Sequence, residues 1–164
     1  MTDLYRGERL VVESVRVPTP AGEKERVVVR PGDAVAMLPR EGDLCYLIRQ
    51  YRFAIGQTIW EAPAGTIDPG ETPEETARRE LVEETGRAAA TLIPRGAVWT
   101  TPGFTDERIH LFEARDLRLS NEHEGDEDEV IEVVPVTATE ALAMARDGRI
   151  QDAKTLCLIY RCLG

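Results

Sequence analysis

The chain has 164 residues, with 30 acidic side chains against 20 basic ones and a formal net charge of −10. That length suits one domain with a substantial core, and that charge argues against general affinity for nucleic acid or membrane surfaces. No run of about 18 apolar residues marks a membrane span, and no charged-then-apolar leader opens the chain, so a cytoplasmic protein is expected. Cys45, Cys157 and Cys162 are odd in number and lack metal-ligand spacing, which suits reduced packing residues.

In chain order, valine-rich residues 9–17 and 25–30 read as two strands of a hairpin, joined by the turn at Pro18 to Gly22. Pro31-Gly32 ends the hairpin, and an apolar run follows over 34–38, with strands expected at 44–52 and 58–62. Thr72, Pro73 and Glu75 predict a helix start: a side-chain oxygen at the N-cap, proline at the first helical position and a glutamate reaching back. Gly86 is a left-handed stop. Further strands are expected at 97–100, 108–114 and 130–136. A helix should start at Thr137 with Glu140 as its capping partner and stop near Gly148, and a last amphipathic helix should run from about Ala153. Strands around a central helix, with helices at the end, imply an α+β chain arranged as an α/β/α sandwich.

The densest chemistry lies between Gly65 and Gly86, which hold seven carboxylates: Asp68, Glu71, Glu74, Glu75, Glu80, Glu83 and Glu84. Glu80, Glu83 and Glu84 project from roughly one side of the predicted helix, where like charges repel by a few tenths of a kcal/mol per pair. A divalent cation would turn that repulsion into coordination, and all-oxygen ligation suits Mg²⁺ or Mn²⁺. Ala77 and Leu81 offer the other side to a core. The plainer alternative is an exposed acidic helix that binds nothing.

The spacing of Gly65, Glu71, Arg79, Glu80, Leu81, Glu83, Glu84 and Gly86 resembles the box of the Nudix hydrolases, G-x5-E-x7-R-E-U-x-E-E-x-G-U, with U a bulky apolar residue. Arg87, where that pattern has an apolar residue, is the one departure. The resemblance implies the Nudix fold, a mixed sheet between helices, over about 33–164, with residues 1–32 as an N-terminal β-hairpin extension. It also implies Glu80, Glu83, Glu84 and the Ala64 carbonyl as ligands of Mg²⁺ or Mn²⁺, with Arg79 orienting the glutamates.

Three further segments are similar to the ADP-ribose pyrophosphatase branch of that family. Glu61-Ala62-Pro63-Ala64-Gly65 matches its lead into the box, and Pro102 stands sixteen residues after Gly86. The loop that follows would bring Gly103, Phe104 and Glu107 to substrate. Gln50-Tyr51-Arg52 resembles a segment whose arginine contacts the pyrophosphate, a task suited to a planar cationic fork. Arg49 is the alternative there, and Arg26 is the candidate from the N-terminal extension. Residues 121–132 hold seven acids and resemble the branch's acidic loop, with Glu127 or Glu129 in place to assist the attacking water and His123 as a weaker alternative. The implied reaction is hydrolysis of ADP-ribose to AMP and ribose 5-phosphate by a homodimer. A different nucleoside diphosphate sugar such as GDP-mannose, or a non-catalytic ADP-ribose-binding regulator, is the alternative.

Overall fold

The sheet is built around β4, Ala34–Glu41, whose side chains alternate between two apolar layers in the computed structural model, which describes residues 2–120 and 131–164. Val35 and Met37 face one layer with Ala77 and Leu81 of α1, Pro73–Thr85. Ala36 and Leu38 face the other, with Ala141 and Met144 of α2, Ala138–Asp147, and Leu158 and Ile159 of α3, Ala153–Leu163. A strand buried on both faces reads as a continuous apolar run, which is how residues 34–38 read in the sequence. The expected α/β/α arrangement holds.

On one side β4 runs parallel to β9, Arg108–Leu119, and β8, Arg87–Trp99, closes that edge antiparallel to β9. On its other side β4 pairs with β5, Leu44–Arg52, only at Arg40 and Glu41. The two strands then part. β6, Gln57–Glu61, fills the gap along β5, and β7, Ala64–Thr66, fills it along Ala34 to Ala36 of β4. Between them the Pro63 carbonyl accepts from the Met37 amide at 3.0 Å. β10, Ile131–Thr137, lies along the outer side of β5. A separate three-stranded sheet, β1 (Thr2–Arg6), β2 (Val11–Thr19) and β3 (Gly22–Arg30), precedes this one.

Local signals set the helix ends. The Thr72 side chain accepts from the Glu75 amide while the Glu75 carboxylate accepts from the Thr72 amide at 2.8 Å, and Gly86 closes α1 at φ 64°. At α2 and α3 the Thr137 and Asp152 side chains accept from the Glu140 and Thr155 amides.

Three expectations need correction. The N-terminal extension is three strands rather than a hairpin, because exposed β1 adds itself to the edge of β2 without any apolar alternation of its own. β8 begins at Arg87, not near 97, since pairing with β9 overrides the weak strand preference of Ala88 to Ala90. As an edge strand it tolerates Pro94 and a bulge between Pro94 and Ala97. β9 runs on to Leu119 for the same reason, having β8 as its partner throughout. Arg87, the departure from the apolar pattern, lays its guanidinium 3.9 Å from the centre of the Tyr46 ring and so supplies a flat packing surface.

At the end of β4 remote from β7, the fully buried Glu113 carboxylate gathers three arginines. Arg40 donates to it at 3.0 Å and Arg115 at 2.8 Å, and Arg95 completes the set. Burial disfavours the charged form of Glu113, but the three guanidiniums outweigh it and hold the carboxyl below its ordinary range. Its stabilisation is therefore present above the ordinary carboxylate range and lost as pH falls through that lowered value. Glu113→Gln should cost about 3–5 kcal/mol, because it leaves three guanidiniums clustered without their counter-charge. A melting temperature in Glu113→Gln within a degree or two of wild type would contradict this.

Candidate active site

The parting of β4 and β5 makes the site. The segment from Glu61 to Thr66 bridges the gap and presents its backbone to α1, which returns directly above it. Gly65 is required there: a Cβ on this residue would run into the Glu80 carboxylate, which lies over the bare Cα. Glu84, one turn later, accepts from the Ala64 amide at 2.8 Å and is nearly buried. Two glutamates one helical turn apart thus clasp the strand that precedes the helix.

Arg79 sits among the remaining carboxylates. Its Nε and Nη2 donate to the two oxygens of Glu71 at 3.1 and 3.0 Å, and its Nη1 donates to Glu80 at 2.7 Å and Glu83 at 2.9 Å. Asp68 lies 3.6 Å from Nη2. The fork matches the Glu71 carboxylate in the bidentate manner that favours arginine over lysine. Hydrogen bonds from Arg79 and then from Thr76 pull the Glu71 carboxyl down to about 2, and the Arg79 guanidinium is held still more firmly in its charged form.

Glu80, Glu83 and Glu84 are hard oxygen donors with the chemistry that Mg²⁺ or Mn²⁺ takes, set beside a glycine backbone that leaves room at its Cα. The donor set fits a divalent cation. Among the described residues, no group of three or more His, Cys, Asp or Glu is gathered into a ready-made cage. The reason is visible in the geometry: Glu80 and Glu83 are turned onto Arg79, while Glu84 is turned onto the Ala64 amide.

A second feature adjoins the lead into the box. Arg52 grips the buried Glu61 carboxylate with both Nε and Nη2, the latter at 2.5 Å, and Lys154 reaches the same carboxylate at 3.4 Å. With Phe53, Ala54 and Ile55 these residues line an open cleft of about 410 Å³. Thr155 fastens the floor, its hydroxyl accepting from the Ala62 amide at 2.7 Å. Glu61, Lys154 and Thr155 escaped the sequence reading as site residues. Lys154 stands in the first turn of α3, where the helix dipole disfavours a cation, and Asp152 at 3.0 Å offsets this along with Glu61.

The other predicted positions are more dispersed. Arg49 stacks over Trp60 at 5.4 Å and pairs with Glu132, on the side of β5 opposite Arg52. Arg26 lies exposed on β3 and donates to the Glu25 carbonyl. Gly103, Phe104 and Glu107 share one loop between β8 and β9, with Phe104 exposed. His123, Glu127 and Glu129 lie outside the described residues.

A model of the NUDIX domain matches residues 29–158. The chain belongs to the NUDIX domain family. It is 40% identical to an ADP-ribose pyrophosphatase of Bacillus subtilis (strain 168) over 147 residues, covering 89% of this chain and 80% of that one. It is also 42% identical to a GDP-mannose pyrophosphatase of Cronobacter sakazakii over 137 residues, covering 78% and 71%. A solved structure described as an ADP compounds hydrolase superposes with a TM-score of 0.86 at 26% identity, over 97% of this chain and 87% of that one. This Nudix fold carries a Nudix hydrolase.

Gly65→Ala provides a test that spares the fold, because the clash is with the movable end of Glu80 rather than with backbone. The displaced carboxylate should cost turnover on the order of 10²-fold with little change in melting temperature. Full activity in a folded Gly65→Ala protein would show that the position of Glu80 over this strand is immaterial.

Proposed function

We propose that the chain hydrolyses the pyrophosphate bond of ADP-ribose to AMP and ribose 5-phosphate in the cytoplasm, with Mg²⁺ or Mn²⁺ as cofactor. The observation that carries the reading is the Glu71–Arg79–Glu80–Glu83 network above Gly65, next to the cleft lined by Arg52, Glu61 and Lys154. Divalent ions bound there would neutralise charge on the phosphate oxygens as water attacks phosphorus. Glu80, Glu83 and Glu84, with the Ala64 carbonyl, would hold them. Arg79 keeps the glutamates oriented, and Glu71 fixes Arg79 in turn. The divalent ions would let a chain of net charge −10 admit an anion, since Glu61 and Asp152 already offset the charges of Arg52 and Lys154. Arg52, Gly103, Phe104 and Glu107 would bind the remainder of the substrate, and Glu127 or Glu129 would assist the water. Arg26 would have to act from an extension that is remote in sequence from the box.

A second reading, GDP-mannose as substrate, is favoured by the 42% identity to a GDP-mannose pyrophosphatase. One panel decides between them. ADP-ribose should be turned over with the higher kcat/KM, only with a divalent cation present. Glu84→Gln should nearly abolish the reaction in a folded protein, and one of Glu127→Gln and Glu129→Gln should lose roughly 10²-fold in kcat. A several-fold preference for GDP-mannose would transfer the assignment to the second reading. Normal turnover by Glu84→Gln would remove the metal assignment.

We further propose one domain of 164 residues that pairs as a homodimer through its N-terminal sheet, where Leu4, Tyr5 and Val27 expose apolar surface at 57%, 59% and 54%. A symmetric partner would cover that surface and the sheet's free edges. Light scattering at micromolar concentration should give twice the mass of the chain; the mass of one chain would contradict it.

A further inference from the structure

The N-terminal sheet meets the loop between β8 and β9 at Val29 and Arg30. Arg30, at the end of β3, donates from Nε to the nearly buried Glu13 at 2.5 Å and from Nη1 to Asp106 at 2.5 Å. Beside it the Val29 amide donates to the Phe104 carbonyl at 2.8 Å, and Val29 forms a parallel bridge with Thr105. The loop it meets is internally braced, with the Phe104 and Thr105 amides both donating to the Thr101 carbonyl at 3.1 Å. Sheet register fixes where this loop stands. Ala34 of β4 lies opposite Ile109, just beyond the loop, and opposite Thr66, next to Gly65. Loop and carboxylate network therefore open at the same end of the sheet. The loop exposes Phe104 at 54%, and Trp99 at the end of β8 is exposed at 57% with the Arg108 guanidinium over its ring at 5.9 Å.

We propose that Arg30 is a positioning residue for substrate binding: by bridging Glu13 and Asp106 it holds the 101–107 loop at the rim of the active site. The inference rests on the proposed nucleoside diphosphate sugar substrate but not on which sugar it is. A bridge of this kind carries two separate loads. Glu13 anchors the arginine in the N-terminal sheet, and Asp106, half-exposed on the loop, is the part that Arg30 places. Cutting the second contact should release the loop without opening either apolar layer of the fold.

The test is kinetic, using the full chain with Mg²⁺ and each of ADP-ribose and GDP-mannose. Arg30→Gln should raise KM roughly tenfold and leave kcat within about twofold, the signature of lost uniform binding. Asp106→Asn, a change at an exposed side chain, should raise KM similarly, and the double variant should be no worse than either alone, because both remove one contact. Arg30→Lys should recover part of the loss. Independently of any substrate, the Val29 amide should exchange with solvent faster in Arg30→Gln and Asp106→Asn than in wild type. KM unchanged in both variants would overturn the proposal, as would additive effects or unaltered exchange at Val29. A lowered melting temperature with wild-type KM would leave Arg30 as a strap between sheets and nothing more. Preference for GDP-mannose in wild type would defeat the ADP-ribose reading alone, since the KM shift is expected with either substrate.

Discussion

The contact on which the site depends is the one between the Arg79 guanidinium and its ring of carboxylates. Glu71, Glu80 and Glu83 each accept from it, with Asp68 close by. Without a cation at the centre, acids at this spacing on and beside one helix would repel and turn outward. Arg79 reverses the sign of that interaction. It also explains why the glutamates are held near the strand yet not closed into a cage: the arginine itself occupies the inner position. Metal ions entering this site would compete with a built-in cation for the same oxygens. The bidentate grip of Glu71 keeps Arg79 from following the glutamates it would then release.

The sheet places this contact where it can be used. β4 is paired along one side without interruption but shared on the other between β5 and β7, and that division creates the gap the box spans. The two ends of β4 are then treated differently. At the far end, Glu113 locks β4, β8 and β9 with a buried carboxylate under three arginines. At the near end, the backbone of Ala64 and Gly65 lies bare beneath Glu84 and Glu80. Charge pairing is buried at the far end and partly exposed at the near end, where Arg79 holds Glu71, Glu80 and Glu83.

Much of this was legible in the sequence because its causes are local. Thr72, Pro73, Glu75 and Gly86 set the limits of α1 through contacts within a few residues, and the box positions follow from helical spacing. What stayed hidden depends on partners distant along the chain. The Ala62 amide meets Thr155 across 93 residues, and Arg30 meets Asp106 across 76. No periodicity encodes either meeting. At Ala88 to Ala90 the strand comes from pairing with β9 and not from the alanines themselves. β1, an edge strand exposed along its length, shows no alternation in the sequence. The box named the chemistry; the cleft beside it, with Glu61 and Lys154, had to be seen in three dimensions.

The central claim is that Arg79 holds the box carboxylates together, and Glu71 reports on it most directly. Its carboxyl can be followed by ¹³C NMR as pH is lowered. With Arg79 in place it should remain ionised through its ordinary range and titrate only near about 2. In Arg79→Gln the same signal should titrate at clearly higher pH, toward the ordinary carboxylate range, with only the Thr76 and Asp68 hydrogen bonds left to lower it. A wild-type midpoint already in that ordinary range would contradict the account, since it would mean that the arginine does not hold the carboxylates on which the site is built.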